Sequence, residues 1–301
     1  MANVPYEIIA ASKPFRFLVG PDKKEFFMHA GLVARMSKPL FALVNGEWKE
    51  AKESFTEWPE VDEGTFARFC EFAYTGDYKV PEPFKDALTV LKNKNADLEV
   101  PAFEEASLDE IGVQSDDLDG WSLRAHGIGT SGGVSRKKKK SNILFEAPAR
   151  RSGSSGDRHQ MWEQFRQDVG DEPDPRAKET ANTDPSLNYS EVLLAHARLY
   201  AFADCYDVSA LAELSVRKLH RTLKVFDLHK GVRATDVAQL IDYAYKNTIS
   251  KGVGEDKLRS VLATYTACNI EEMWPNLYFQ DVLESPEVSK AIIGQLLMRL
   301  N

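Results

Sequence analysis

Apolar and polar positions follow three regimes along the chain. In the first, short apolar runs alternate with turn clusters. Phe15-Arg16-Phe17-Leu18-Val19 is apolar and aromatic and predicts a strand. Gly20-Pro21-Asp22-Lys23-Lys24 reads as a turn, and Glu25-Phe26-Phe27-Met28 returns as the second strand of a hairpin. His29 opens a short helix, Ala30 to Met36, with Leu32 and Val33 inward. Ser37, followed by Pro39, suits the cap of a next helix filled by Leu40, Phe41, Leu43 and Val44, which Asn45-Gly46 ends. Ser54 to Trp58 alternates as a third strand. Asp62 caps a helix whose body begins at Thr65; Phe66, Phe69, Cys70, Ala73 and Tyr74 recur at helical spacing and predict its buried face, before Thr75-Gly76-Asp77 closes it.

From Leu187 the period changes to 3.6 residues. Tyr189, Val192, Leu193, His196, Leu199, Tyr200 and Ala203 share one face over about four turns. Asp207 reads as the cap of a second helix with the stripe Leu211, Leu214, Ser215, Leu219 and Leu223. Val237, Leu240, Ile241, Ala244 and Tyr245 predict a third, and Leu258, Val261, Leu262 and Tyr265 a fourth. Ile292, Gln295, Leu296 and Met298 to Leu300 predict a last one.

Between these arms the pattern fades. Leu, Ile, Val and Phe make up only 16 of residues 92–188, against 25 of residues 1–91 and 34 of residues 189–301. That is below the roughly 20% at which a segment buries too little apolar area to offset its chain entropy. Residues 92–186 are therefore expected to be a mostly disordered insert. Its charge is patterned: 95–123 holds nine Asp/Glu and no Lys/Arg, and Arg136-Lys137-Lys138-Lys139-Lys140 follows as a basic run. The chain's formal net charge is -8, so outside 95–123 the protein is nearly neutral, at +1. The basic run resembles a nuclear import signal; it also suits contact with phosphates, or an ordinary solvated cluster.

Composition narrows the function classes. The 43% apolar content rules out a wholly disordered chain, and the acidic balance argues against coating nucleic acid through global charge. No apolar run is long enough to span a membrane, and Met1 to Pro14 lacks the pattern of a secretory signal. Cys70, Cys205 and Cys268 are odd in number and far apart, which predicts reduced, buried thiols in an intracellular protein, in nucleus, cytoplasm or both.

Catalytic patterns fail on context. Gly127-x-Gly129-x-x-Gly132 satisfies the dinucleotide pattern literally, but no strand precedes it and the basic run follows where a phosphate-capping helix should start. The six histidines do not cluster, and no Cys-x-x-Cys or phosphate loop occurs. His29 has no Cys, Asp or second His at ligand spacing, so it reads as a packing residue. The expectation is a non-enzyme with no cofactor and no metal. With no DNA-reading module, direct sequence-specific DNA binding is disfavoured.

Phe26-x-x-His29-x-x-Leu32, Ser37, Phe41, Val61-Asp62-Glu63-x-Thr65-Phe66-x-x-Phe69 and Tyr74-Thr75-Gly76-Asp77-Tyr78 resemble, in order and spacing, the BTB (POZ) domain in its fungal flavour. Leu193 to Val208, with Ala203-Asp204-Cys205-Tyr206, resembles the late helices of the same family. The resemblance implies an α+β chain: a BTB fold, a small sheet with helical hairpins, interrupted by the insert and followed by a helical extension. Its parts are then 13–91 (N-terminal part of the domain), 92–186 (insert), 187–223 (C-terminal helices of the domain) and 224–301 (extension). It also implies a protein-protein interaction module that homodimerises and that, in many members, bridges a cullin scaffold of a RING ubiquitin ligase to a substrate. The cullin-contacting signature of that family, a large apolar residue, any residue, then Glu, is matched by Trp48-Lys49-Glu50. Trp48 packing on its own domain, with Glu50 a solvated turn residue, is the other reading. A BTB scaffold or transcription-associated nuclear factor without a ligase role is one alternative function, and an enzyme of unrecognised fold is the other. Two departures, Lys13-Pro14 before the first strand and Ala30 after the hairpin His, remove the charged pair of the usual dimer groove and imply weak or altered self-association.

Overall fold

The computed structural model describes residues 5–85, 154–167, 181–249 and 256–299 and shows an α+β protein, mostly helical, with one three-stranded and one two-stranded sheet. A short helix α1 (Tyr6–Ala10) leads into β1 (Pro14–Val19), and Gly20 (φ 76°) turns the chain toward β2 (Lys24–His29). Glycine takes that left-handed conformation without steric cost. β1 and β2 pair antiparallel, Phe17 opposite Phe26. β3 (Phe55–Trp58) lies on the other side of β1 and pairs with it in parallel, Phe17 beside Thr56. A parallel pair requires a crossover, supplied here by α2 (Ala30–Met36), α3 (Lys38–Asn45) and α4 (Lys49–Glu53).

The expected caps are present where the signal is local. The Ser37 hydroxyl accepts from the Leu40 N–H at 3.1 Å. Asp62 accepts from the Thr65 N–H at 2.8 Å and opens α5 (Glu63–Thr75), which Gly76 (φ 78°) ends. Each such cap contributes about 1 kcal/mol. β1 buries Phe15, Phe17 and Val19 on one face, as strand alternation dictates. Phe17, Trp58 and Phe66 meet with ring centroids 4.9 to 5.6 Å apart, and Phe202 completes the group against Phe69 at 4.9 Å.

After Tyr78 the chain reaches β4 (Phe84–Lys85), which pairs antiparallel with β5 (Leu187–Asn188). The two ends of the intervening stretch are thus held side by side. Within it, α6 (Ser154–Gln167) is a helix with Met161 and Phe165 buried. This corrects the expectation for 92–186 at that point: three large apolar side chains, Met161, Trp162 and Phe165, lie on one helical face and find a partner surface, which an average over the whole stretch hides. The acidic strip, the basic run Arg136–Lys140 and the Gly127–Gly132 pattern lie outside the described residues.

The remaining elements are helices: α7 (Ser190–Cys205), α8 (Ser209–Val225), α9 (Ala234–Asn247), α10 (Lys257–Cys268), α11 (Ile270–Met273), α12 (Leu277–Val282) and α13 (Pro286–Arg299). The predicted stripe on α8 is buried throughout. Asp207 does not cap that helix. It sits in the left-handed region (φ 55°) at the reversal after α7, and buried Val208 precedes the first turn with no side-chain cap. α7 serves two cores: Leu199, Phe202 and Ala203 join the sheet, and Leu193, Ala197 and Tyr200 join the helices.

Three cations fasten distant chain segments to one another. Lys218 Nζ donates to Asp77 Oδ1 at 2.5 Å and to the Tyr78 carbonyl at 2.6 Å. Arg233 donates to the Leu187 carbonyl at 2.7 Å. Arg259, buried, donates to the Thr248 hydroxyl (2.9 Å) and carbonyl, to the Tyr245 carbonyl (3.0 Å) and to Glu287 (2.6 Å), closing the C-terminus of α9. A cation there also complements the helix dipole.

Candidate protein-interaction surface

The surface around Trp48 follows from how α3 and α4 are joined. Ser37 and Pro39 start α3, and Leu40 and Val44 tie its inner face to the sheet core. That leaves Phe41 on the outside, 56% exposed. Gly46 ends α3 with its N–H on the Ala42 carbonyl at 2.8 Å; a Cβ there would lie 2.4 Å from that oxygen, so only glycine fits. Trp48 then takes the extended position before α4 and stands 73% exposed. Glu50 lies in the first turn of α4, half-buried, and among the described residues forms no ion pair; Lys49 pairs with Glu53 at 3.8 Å. The structure therefore places Trp48 and Glu50 within two residues on one exposed corner, the indole outward and the carboxylate at the helix start.

An exposed Trp brings much apolar area at low entropy cost, and a carboxylate beside it accepts charge-assisted hydrogen bonds. The corner therefore suits a protein partner that offers an apolar pocket next to a cation.

The other polar constellations are structural in geometry. His29 Nδ1 lies 2.9 Å from the Tyr74 hydroxyl, which also accepts from the His29 N–H at 3.3 Å. Tyr74 is consequently exposed on the rim of a groove of about 470 Å³ lined by Tyr6, Ile9, Leu32 and Met36, not in the buried face its spacing predicted. His196, fully enclosed, lies 2.6 Å from the Tyr78 hydroxyl. Burial, reinforced by Lys218 and Arg68, pushes His196 down to about 3, and burial raises Tyr78. Both groups are neutral in the folded chain near neutral pH. The spacing of α7 put His196 on a buried face, but its partner lies more than a hundred residues earlier and no local signal announces it.

The cysteines divide. Cys268 is buried and Cys70 half-buried, with desolvation pushing its thiol up to about 12. Cys205 is exposed at the end of α7, against the expectation of a buried small hydrophobe; the helix's last residue faces out once Phe202 and Ala203 turn in. Among the described residues no cluster of three or more His, Cys, Asp or Glu is placed to hold a metal ion, and no helix is long and apolar enough to cross a membrane. Compared with protein-family models, curated proteins and solved structures, the chain matches none.

Proposed function

We propose that this protein is a non-enzymatic interaction module of the BTB type, and that it acts as a substrate adaptor by presenting Trp48 and Glu50 to a cullin scaffold of a RING ubiquitin ligase. The observation that carries the reading is the exposure of Trp48 at the start of α4, beside Glu50. A large aromatic left 73% exposed is the kind of residue that anchors an interface. The motif order of the N-terminal arm supports the family, and the helices after α8 offer room for a substrate.

The test is a pull-down of the whole chain from cells that express cullins, wild type against the Trp48→Ala/Glu50→Ala double variant. A cullin recovered with wild type and lost with the variant supports the adaptor. A cullin in neither sample removes it and favours the second reading, a nuclear scaffold without a ligase. The basic run Arg136–Lys140 favours that reading. Replacing Lys137 to Lys140 with alanine then moves a tagged chain out of the nucleus; an unchanged distribution eliminates the import signal.

A further inference from the structure

The helix α6 is an unusual occupant of its site. Residues 86–153 and 168–180 connect it to the rest of the chain, and it has no described neighbour in sequence on either side. Of its side chains from Arg158 onward only Met161 and Phe165 are buried, with Arg158, Trp162 and Glu163 half-buried; His159, Gln160, Gln164, Arg166 and Gln167 face out. Phe165 packs on His220 (ring centroids 4.4 Å apart) and on Tyr265 (5.8 Å). Trp162 stacks on Phe165 and reaches Tyr265 at 6.1 Å. Met161 closes over Ala267 and Cys268, with Leu296 of α13 at the edge. One turn earlier, Arg158 donates to the Cys268 carbonyl at 2.9 Å, at the C-terminus of α10, and its guanidinium stands 3.8 and 3.9 Å from Glu271 and Glu272.

This is the geometry of a helical peptide bound in a groove: apolar anchors at i, i+1 and i+4, plus a cation at a helix C-terminus. The anchoring is thin for the length of chain it orders. From Arg158 onward two side chains are buried and three half-buried, and the Arg158 ion pairs are partly exposed and long, hence weak. An open groove of about 440 Å³ runs beside the helix, lined by Arg158, His159, Trp162, Phe226, Cys268 and Glu272.

We infer that the surface formed by α8, α10 and α13 is a docking groove for an amphipathic helix of the pattern Arg-x-x-Met-Trp-x-x-Phe, and that α6 is its tethered ligand in cis, exchangeable for the same segment presented in trans. This surface is distinct from the Trp48 corner, so the inference stands or falls independently of the proposed function.

The probe is a fluorescent synthetic peptide of residues 154–167, followed by anisotropy against the full chain. In wild type the cis helix competes at high effective concentration. The Phe165→Ala chain, with its own anchor removed, binds the peptide at least about tenfold more tightly than wild type. A peptide carrying Trp162→Ala and Phe165→Ala binds neither chain. A folded Phe165→Ala chain that does not bind the wild-type peptide overturns the inference and makes α6 an ordinary part of the core. If that chain does not fold, hydrogen exchange on wild type decides. Separate undocking gives α6 amides that exchange at least about tenfold faster than those of α10, together with saturable binding of the peptide to wild type. Equal protection of the two helices overturns the inference.

Discussion

The two halves that α7 joins are held by different physics. The sheet half is an aromatic cluster: Phe66 touches Phe17, Phe26, Trp58, Phe69 and, from α7, Phe202. The helical half packs mostly aliphatic stripes, and its chain path is set by cations reaching across the fold to single carbonyls. In the first half, local sequence decides local shape. In the second, helix existence is local but helix placement is long-range.

The sharpest way to break that comparison is to open the aromatic cluster. Phe66→Ala is expected to cost about 4 kcal/mol in urea unfolding, the usual range for an enclosed Phe. Leu219→Ala, buried in the helical core, is expected to cost about 3 kcal/mol. If the two halves unfold as one unit, both variants shift every probe together; a Phe66 variant that leaves the helical signal in place would show that α7 does not couple them.

Next in size is the fastening of α9. Arg259→Leu leaves the Thr248 and Tyr245 carbonyls without their donor and is expected to cost about 3 kcal/mol, at about 1–3 for each buried group left unpaired. Arg259→Lys recovers only part, since an ammonium cannot span the same acceptors as a planar guanidinium. Full recovery by Lys would mean that charge alone, not the fork of donors, secures the helix end.

His196 gives the third test, by pH. Its folded value, about 3, lies below the 6.5 of an unperturbed histidine, so the unfolded chain binds the proton first. The stability contributed by the neutral, buried ring is complete above about pH 6.5 and falls as pH drops toward 3, by about 1.4 kcal/mol per unit within that window. His196→Gln should remove that slope in urea midpoints measured between pH 6 and 4. A slope that survives the substitution would assign it to other groups.

These variants also mark what the sequence could and could not disclose. The hairpin, the Ser37 and Asp62 caps, the Gly76 stop and the stripes of α7 to α10 follow from signals a few residues long and are present, the stripes buried except at Tyr189, Tyr245 and Val261, which are half-buried. Asp207 was misleading because a tight reversal between two helices overrides a capping preference. Tyr74 misleads because helical spacing says which residues share a face, not where the buried sector ends. α6 was hidden by its polar surroundings, since three anchors suffice once a groove exists to receive them. The Lys218, Arg233 and Arg259 fasteners carry no sequence signature, because many of their acceptors are backbone carbonyls that every residue owns and the side-chain acceptors, Asp77, Thr248 and Glu287, lie 11 to 141 residues away. The Trp48 corner was legible as a motif; that the indole faces solvent required the fold.

The smallest expected effect on stability falls at that corner and is the most informative about function. Trp48 is largely exposed and precedes α4 without a side-chain cap, so Trp48→Ala should change the unfolding free energy by no more than about 0.5 kcal/mol. Asp62→Ala serves as its counterpart: it loses the cap of α5 and should cost about 1 kcal/mol without affecting a partner at α4. The two variants therefore separate folding from recognition. If Trp48→Ala leaves the urea midpoint in place and abolishes cullin capture while Asp62→Ala does the reverse, the indole acts on a partner. If Trp48→Ala costs as much stability as an enclosed aromatic, the side chain packs on its own domain in solution, and the exposed anchor on which the proposed function rests is gone.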